Sequence, residues 1–139
     1  MKLSLTKVWI DGSCLGNPGK MGIGIVINDP RRPEPLRVGQ GCGRGTNNIA
    51  EYQALIRALL LCGELGAKHV QIHSDSELVV KQMNGEYVVR DPKLRELHGE
   101  AENLREEFLT CRVVHVRREH NREADALARG AAAGGGATS

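Results

Sequence analysis

The sequence is poor in net charge, in aromatic rings, in paired cysteines and in long apolar runs, and each shortage removes a class of protein. Nineteen Lys and Arg against seventeen Asp and Glu leave a formal charge of +2 over 139 residues. That is too little to argue for nucleic acid unless the charges gather on one face. The sole tryptophan, Trp9, falls in a strand-like segment, where a core position suits it better than a stacking platform for bases. Cys14, Cys42, Cys62 and Cys111 form no C-x-x-C pair and no zinc-ligand pattern, so buried free thiols are expected. The longest apolar run, around Ala58 to Cys62, is far shorter than a bilayer span. Met1-Lys2-Leu3-Ser4 leads straight into a strand-like stretch with no apolar signal region, which gives the expectation of a cytoplasmic protein without membrane contact.

What remains is an ordinary folded composition, 40% hydrophobic and 26% charged. The length suits one domain with its own core, expected over residues 1–132, and Gly134-Gly135-Gly136 suggests a flexible tail over 133–139. Leu3 to Asp11 and Met21 to Asn28 read as strands, the second with Ile23, Ile25 and Ile27 on one face and Gly22, Gly24 and Val26 on the other. Leu36, Val38, Gln40 and Cys42 alternate as a third strand of an antiparallel meander.

The period then changes. Ile49, Tyr52, Ile56, Leu59 and Leu60 recur at helical spacing, with Thr46 or Asn47 as cap and Gly66 just past the end. His69 to Asp75 reads as a short strand, and Asp75 or Ser76 caps a brief helix that Gly85 stops. Asp91-Pro92 opens a helix carrying Leu94, Leu97, Ala101, Leu104 and Phe108 on one face. Arg112 to Arg117 reads as the last strand, and Asn121 caps a final helix from Arg122 to about Ala132. The pattern describes an α/β fold, a mixed sheet flanked by helices.

Four acidic residues stand out in this frame. Asp11 ends the first strand before the Gly-rich turn Gly12-Ser13-Cys14-Leu15-Gly16-Asn17-Pro18-Gly19; alone, it is most simply a turn former. Asp75 is explained equally well as a helix cap and Asp125 as a first-turn carboxylate favoured by the helix dipole. Glu51 resists that treatment, because its neighbours Tyr52 and Leu55 belong to the apolar stripe of its helix. If the first and fourth strands are adjacent and parallel, Asp11 and Asp75 emerge side by side, about 5 Å apart. Bare carboxylates there would repel each other, and hard oxygen donors of this kind suit Mg²⁺ or Mn²⁺ better than zinc.

Trp9-Ile10-Asp11-Gly12-Ser13, Gly22-Ile23-Gly24, Thr46-Asn47-Asn48-Ile49-Ala50-Glu51, Ser74-Asp75-Ser76 and Asn121-Arg122-Glu123-Ala124-Asp125 with Leu127-Ala128 follow one another over nearly the whole chain. In these segments the sequence resembles a type 1 ribonuclease H. The resemblance implies a five-stranded mixed sheet, three strands antiparallel and two more parallel to the first. It implies that Asp11, Glu51, Asp75 and Asp125 form one metal-binding tetrad holding two Mg²⁺ ions, with Mn²⁺ as a possible substitute. Asp11 would bridge both ions, Asp125 would complete the water-activating site, and Glu51 and Asp75 would support the other. The implied substrate is the RNA strand of an RNA/DNA hybrid duplex, cut to 5′-phosphate and 3′-hydroxyl ends, and a monomer is expected.

By the same resemblance, backbone groups near Cys14 and Gly16, with Glu51, would meet the 2′-hydroxyl that distinguishes RNA from DNA. Asn17 and Asn47 or Asn48 would contact the two strands. Arg44 and Thr46 match a phosphate pocket for the DNA strand, which sets register without reading sequence. Two features depart from the family pattern. The basic, tryptophan-bearing handle that many relatives carry is missing, since Gly85 to Asp91 offers only Tyr87 and Arg90. The loop before the last helix is short, so the auxiliary role of a mobile histidine would fall to His120, with Arg118 as an electrostatic alternative. Other readings on the same architecture are a junction resolvase, a 3′ to 5′ exonuclease, or a non-catalytic hybrid-binding module.

Overall fold

The structure, a computed structural model, describes residues 4–135. In chain order it comprises β1 (Leu5–Gly16), β2 (Gly19–Asn28), β3 (Leu36–Gly45), α1 (Asn47–Glu64), β4 (His69–Ser74), α2 (Glu77–Met83), α3 (Pro92–Arg105), β5 (Thr110–His115) and α4 (Arg122–Gly130). A short 3₁₀ turn, Arg118–His120, precedes α4, and a wider helical turn, Ala131–Gly135, follows it. The five strands form one sheet in the order β3-β2-β1-β4-β5. β1, β2 and β3 are antiparallel neighbours, while β4 runs parallel to β1 and β5 parallel to β4. This is the α/β mixed sheet that the order of periodicities suggested.

Two local expectations need correction. β1 does not end at Asp11 but continues to Gly16, because its outer half keeps pairing with β2 after β4 has left it. The last strand lies two residues earlier than Arg112–Arg117: the backbone of Leu109 and Thr110 already bonds to the Lys68 carbonyl, which draws the chain into the sheet there. Residues 131–135 form a wider turn in which Ala131 and Ala132 are buried and Gly134 leaves the helical conformation at φ 84°; of the tail expected over 133–139, residues 136–139 lie outside the described residues.

Helix ends follow the chemistry of their residues. Thr46, Ser76 and Asp91 accept through their side chains from the N–H groups of Ile49, Val79 and Leu94, capping α1, α2 and α3. At the far end of α1, Gly66 adopts φ 76°, and the N–H groups of Gly66 and Ala67 bond back to the carbonyls of Gly63 and Cys62. Only glycine takes that left-handed turn without strain, so it closes the helix.

The main core lies between the sheet and α1 with α3. Val8, Ile10, Ile23, Ile25, Ile27, Val70 and Ile72 meet Tyr52, Leu55, Leu59 and Leu97 there, all buried. Each fully buried leucine or isoleucine adds ~2 kcal/mol of apolar transfer free energy. The thiols are free, but only Cys62 is buried; Cys14, Cys42 and Cys111 are half-buried because they sit near strand edges or ends. Among the described residues, no helix is long and apolar enough to cross a membrane.

Glycines govern how closely helices approach the sheet. A Cβ at Gly12 would lie 2.3 Å from the carbonyl carbon of Ala50 and 2.4 Å from the nitrogen of Glu51, so α1 rests directly on the β1 backbone. On the opposite face, a Cβ at Gly24 would lie 2.1 Å from the Ala124 carbonyl oxygen, and one at Gly22 2.3 Å from the Ala132 nitrogen. The expected consequence is a contrast between two substitutions measured by denaturant unfolding. Gly12→Ala forces backbone against backbone and costs at least ~2 kcal/mol. Gly63→Ala, in α1 with nothing within 4 Å of the new methyl group, adds about 0.5–1 kcal/mol of stability.

Candidate active site

Strand register brings the first two carboxylates together. The parallel ladder of β1 and β4 closes at the pair Ile10↔Ser74, so Asp11 and Asp75 are the next residues on adjacent strands. β4 then turns away into α2, with the Ser76 N–H donating to the Ser74 hydroxyl. Asp11 pairs across β1 and β2 with Gly24, which places it on the face covered by α4. Glu51 arrives from α1 on the other face. Its Oε1 accepts from the Gly12 N–H at 3.0 Å, and Oδ1 of Asp11 accepts from the same N–H at 3.0 Å. Asp11, Glu51 and Asp75 each offer an oxygen within 4.8 Å of the others.

Asp125, in the first turn of α4, belongs to the same site and lies within side-chain hydrogen-bond reach of Asp11. It lines, with Asp11, Gly12, Ser13, Asn47, Glu51, Arg118 and Arg129, a polar cavity of about 300 Å³. Its Oδ1 accepts from Nε of Arg129 at 3.0 Å. Arg129 was not among the residues picked out from sequence, although the i,i+4 spacing of Asp125 and Arg129 on one helix is a readable signal.

The electrostatics of the trio are unfavourable without a counter-charge. Burial, then the charge of Asp75, then a hydrogen bond with Asp125 and that residue's charge, push the Asp11 carboxyl from its ordinary 3.8 up to about 8. Burial and the same crowding by Asp11 and Asp75 hold Glu51 well above the usual carboxylate range. Three hard oxygen donors this close together, with Asp11 and Glu51 held toward their protonated forms, fit a divalent cation of the magnesium or manganese type. The donor set contains no thiolate or imidazole that would favour zinc.

The remaining candidates take three kinds of position. Asn17 and Asn47 are joined, the Asn47 N–H donating to Oδ1 of Asn17 at 3.0 Å, which ties the tip of the β1–β2 hairpin to the start of α1. The Cys14 thiol donates to the Gly45 carbonyl at 3.1 Å, fixing the same hairpin to the end of β3. Gly16 takes φ 80° at the hairpin end, and Arg44 and Asn48 are exposed beside the Thr46 cap.

The short loop separates its two candidates: Arg118 faces the acidic cavity, whereas His120 lines another of about 430 Å³ with Trp9, Val26, Arg37, Asn121 and Glu123. Trp9 is half-buried and stacks on His73, ring centroids 4.5 Å apart. The side chain of Asn121 does not cap α4, because its amide is drawn inward to the Ile10 carbonyl and Asp75.

A sheet of this topology with carboxylates gathered midway along its central strand β1, where β4 parts from it, defines a ribonuclease H-like protein. Residues 9–131 match the family described as reverse transcriptase-like. The ribonuclease HI of Halobacterium salinarum is 38% identical over 120 residues, which is 86% of this chain and 60% of that protein. Its crystal structure superposes with a TM-score of 0.87 at 37% identity, covering 91% of this chain and 96% of that one. The N-terminal ribonuclease H domain of the Mycobacterium tuberculosis protein Rv2228c gives 0.89 at 36% identity, covering 95% and 96%. This chain spans only 33% of the length of that bifunctional mycobacterial protein. A ribonuclease H1 isolated from compost, LC11, crystallised with an RNA/DNA hybrid, gives 0.84 at 38% identity, covering 93% and 97%. The chain belongs to the type 1 ribonuclease H family.

The raised carboxyls make stability depend on pH and on metal. The folded state holds the Asp11 proton up to about pH 8, whereas the unfolded chain releases it near 3.8, so stability falls as pH rises between those values. In chelator, Tm is expected to drop by ~4 °C or more from pH 6 to pH 8, the shift that about 1 kcal/mol produces in a domain of this size. Asp11→Asn is expected to flatten this dependence, and a divalent cation such as Mg²⁺ held by the trio is expected to reverse the loss at pH 8. Scanning calorimetry with and without Mg²⁺ checks all three.

Proposed function

We propose that the protein is an endoribonuclease that hydrolyses the RNA strand of RNA/DNA hybrids, leaving 5′-phosphate and 3′-hydroxyl ends. The observation that carries this reading is the meeting of Asp11, Glu51 and Asp75 from three separate segments, within 4.8 Å of one another, with Asp11 and Glu51 lining one cavity together with Asp125 and Arg118. The hybrid-bound relative supports the choice of substrate. Asp11, Glu51, Asp75 and Asp125 would hold two Mg²⁺ ions, or Mn²⁺ in their place. When bound, such ions supply a water nucleophile at neutral pH and charge stabilisation at the leaving oxygen.

The chain's own groups account for substrate placement. Glu51 lines the acidic cavity, and with the hairpin backbone around Cys14 and Gly16 it would supply the acceptors that take the hydrogen bond of a 2′-hydroxyl that DNA lacks. Asn17 uses its Oδ1 on the backbone of Asn47, which leaves its amide hydrogens for a strand in the groove. Thr46 accepts from the Ile49 N–H, so its hydroxyl proton is available to a phosphate beside the exposed Arg44. Asn47 and Asn48 lie at the same helix start. Arg118, facing the carboxylates, offers a fixed positive charge to the scissile phosphate or the departing product.

Digestion of matched hybrid, duplex DNA and duplex RNA by the purified protein tests the substrate; preferential cutting of either homoduplex would overturn the reading in favour of another nuclease. Asp75→Asn is expected to abolish cleavage while hybrid binding survives, because a negative ligand is lost and repulsion of phosphate is relieved. Arg118→Ala is expected to slow turnover by about one to two orders of magnitude, with His120→Ala within about threefold of the parent. Single-turnover rates on one hybrid separate the two.

A further inference from the structure

Asn121 occupies a cap position, yet its side chain makes no capping bond. It is 2% exposed. Its Nδ2 donates to the Ile10 carbonyl at 2.8 Å and to Oδ2 of Asp75 at 3.2 Å. Its backbone carbonyl accepts from the Asp125 N–H at 3.0 Å. One buried residue is therefore bonded to the strand position before Asp11, to the carboxylate of Asp75 and to the helical turn that carries Asp125. These three segments come from distant parts of the chain.

The amide oxygen of Asn121 is buried without a hydrogen-bond partner. An orphaned buried acceptor is unfavourable, so a residue chosen only to fill this space would not carry one. The two facing acceptors explain the arrangement: both groups opposite Nδ2 are oxygens, and only a donor can sit between them. A neutral donor also has an advantage over Lys or Arg at this point. It orients Asp75 without cancelling the negative charge that attracts a cation.

We propose that Asn121 is the positioning residue of the metal site, holding one oxygen of Asp75 and the Ile10 carbonyl of β1 so that Asp75, Asp11 and Asp125 keep a common geometry. This rests on the metal-dependent reading given above. The test is calorimetric titration of the substrate-free protein with Mn²⁺, well below the Tm of each variant, alongside hybrid-cleavage kinetics. Asn121→Ala is expected to weaken Mn²⁺ binding about tenfold or more and to raise by a similar factor the Mn²⁺ concentration that gives half-maximal cleavage. A lowered Tm with an unchanged Mn²⁺ dissociation constant would overturn the proposal and leave Asn121 a structural residue. A parent protein that binds no Mn²⁺ would overturn the metal-dependent reading as well, which separates the two failures. Should Asn121→Ala not fold, the side-chain amide signals of Asn121 in the parent protein decide the matter by NMR. They are expected to shift during a Mg²⁺ titration with the same midpoint as the Gly12 amide, and signals that Mg²⁺ leaves unmoved would count against the role.

Discussion

The site depends on contact between α1 and β1 at Gly12, where helix and strand backbones meet with no side chain between them. This approach puts the first turns of α1 over the strand, so that Glu51 reaches the Gly12 N–H from one face of the sheet while Asp11 reaches it from the other. A single peptide N–H, shared by two carboxylates, marks where the acidic groups converge. Gly22 and Gly24 allow the equivalent approach of α4 on the other face, and Asp125 arrives with it. Because interiors pack at near-crystalline density, one methyl group at Gly12 displaces a whole helix and the carboxylate it carries.

The convergence has an electrostatic cost. Asp11 is 5% exposed and lies against Asp75 and Glu51, so the protein without metal keeps protons that isolated carboxyls would lose. The surroundings contain partial compensation rather than neutralisation: the Gly12 N–H, the Asn121 amide on Asp75, and Arg129 on Asp125. Each is a donor, and the only full positive charge among them falls on the outermost carboxylate. The inner three remain poorly compensated, the condition in which a divalent cation binds best and in which activity is set against stability.

The surfaces proposed to meet nucleic acid are anchored in the same way. The hairpin carrying Cys14, Gly16 and Asn17 is tied to β3 through the Cys14 thiol and to α1 through Asn17, so it is braced against the carboxylate cluster. Net charge stays near +2, and Arg118 and Arg129 are local charges lining an acidic cavity rather than parts of a broad basic face. Recognition then depends on where a few cations stand, which suits a short contact with phosphates better than tight non-specific binding.

Much of the fold was legible in the chain itself. Alternation in β2, the helical stripe from Ile49 to Leu60, and the capping chemistry of Thr46, Ser76 and Asp91 are local, and local sequence decides them. The motif segments around Asp11, Glu51, Asp75 and Asp125 were likewise visible as a set. What periodicity left open was relative position: how far β1 runs past β4, on which side of the short loop Arg118 and His120 fall, and where the Asn121 side chain points. The spacing N-x-x-A-D reads equally well as a cap and as an inward-turned amide, since both begin a helix at the same residue. Only the register Ile10↔Ser74, which sets an open carbonyl and a carboxylate behind α4, turns that side chain inward. Sequence determined which residues could carry charge and form each element; tertiary structure decided which charges meet, because burial and distance are properties of packed elements that no single segment contains.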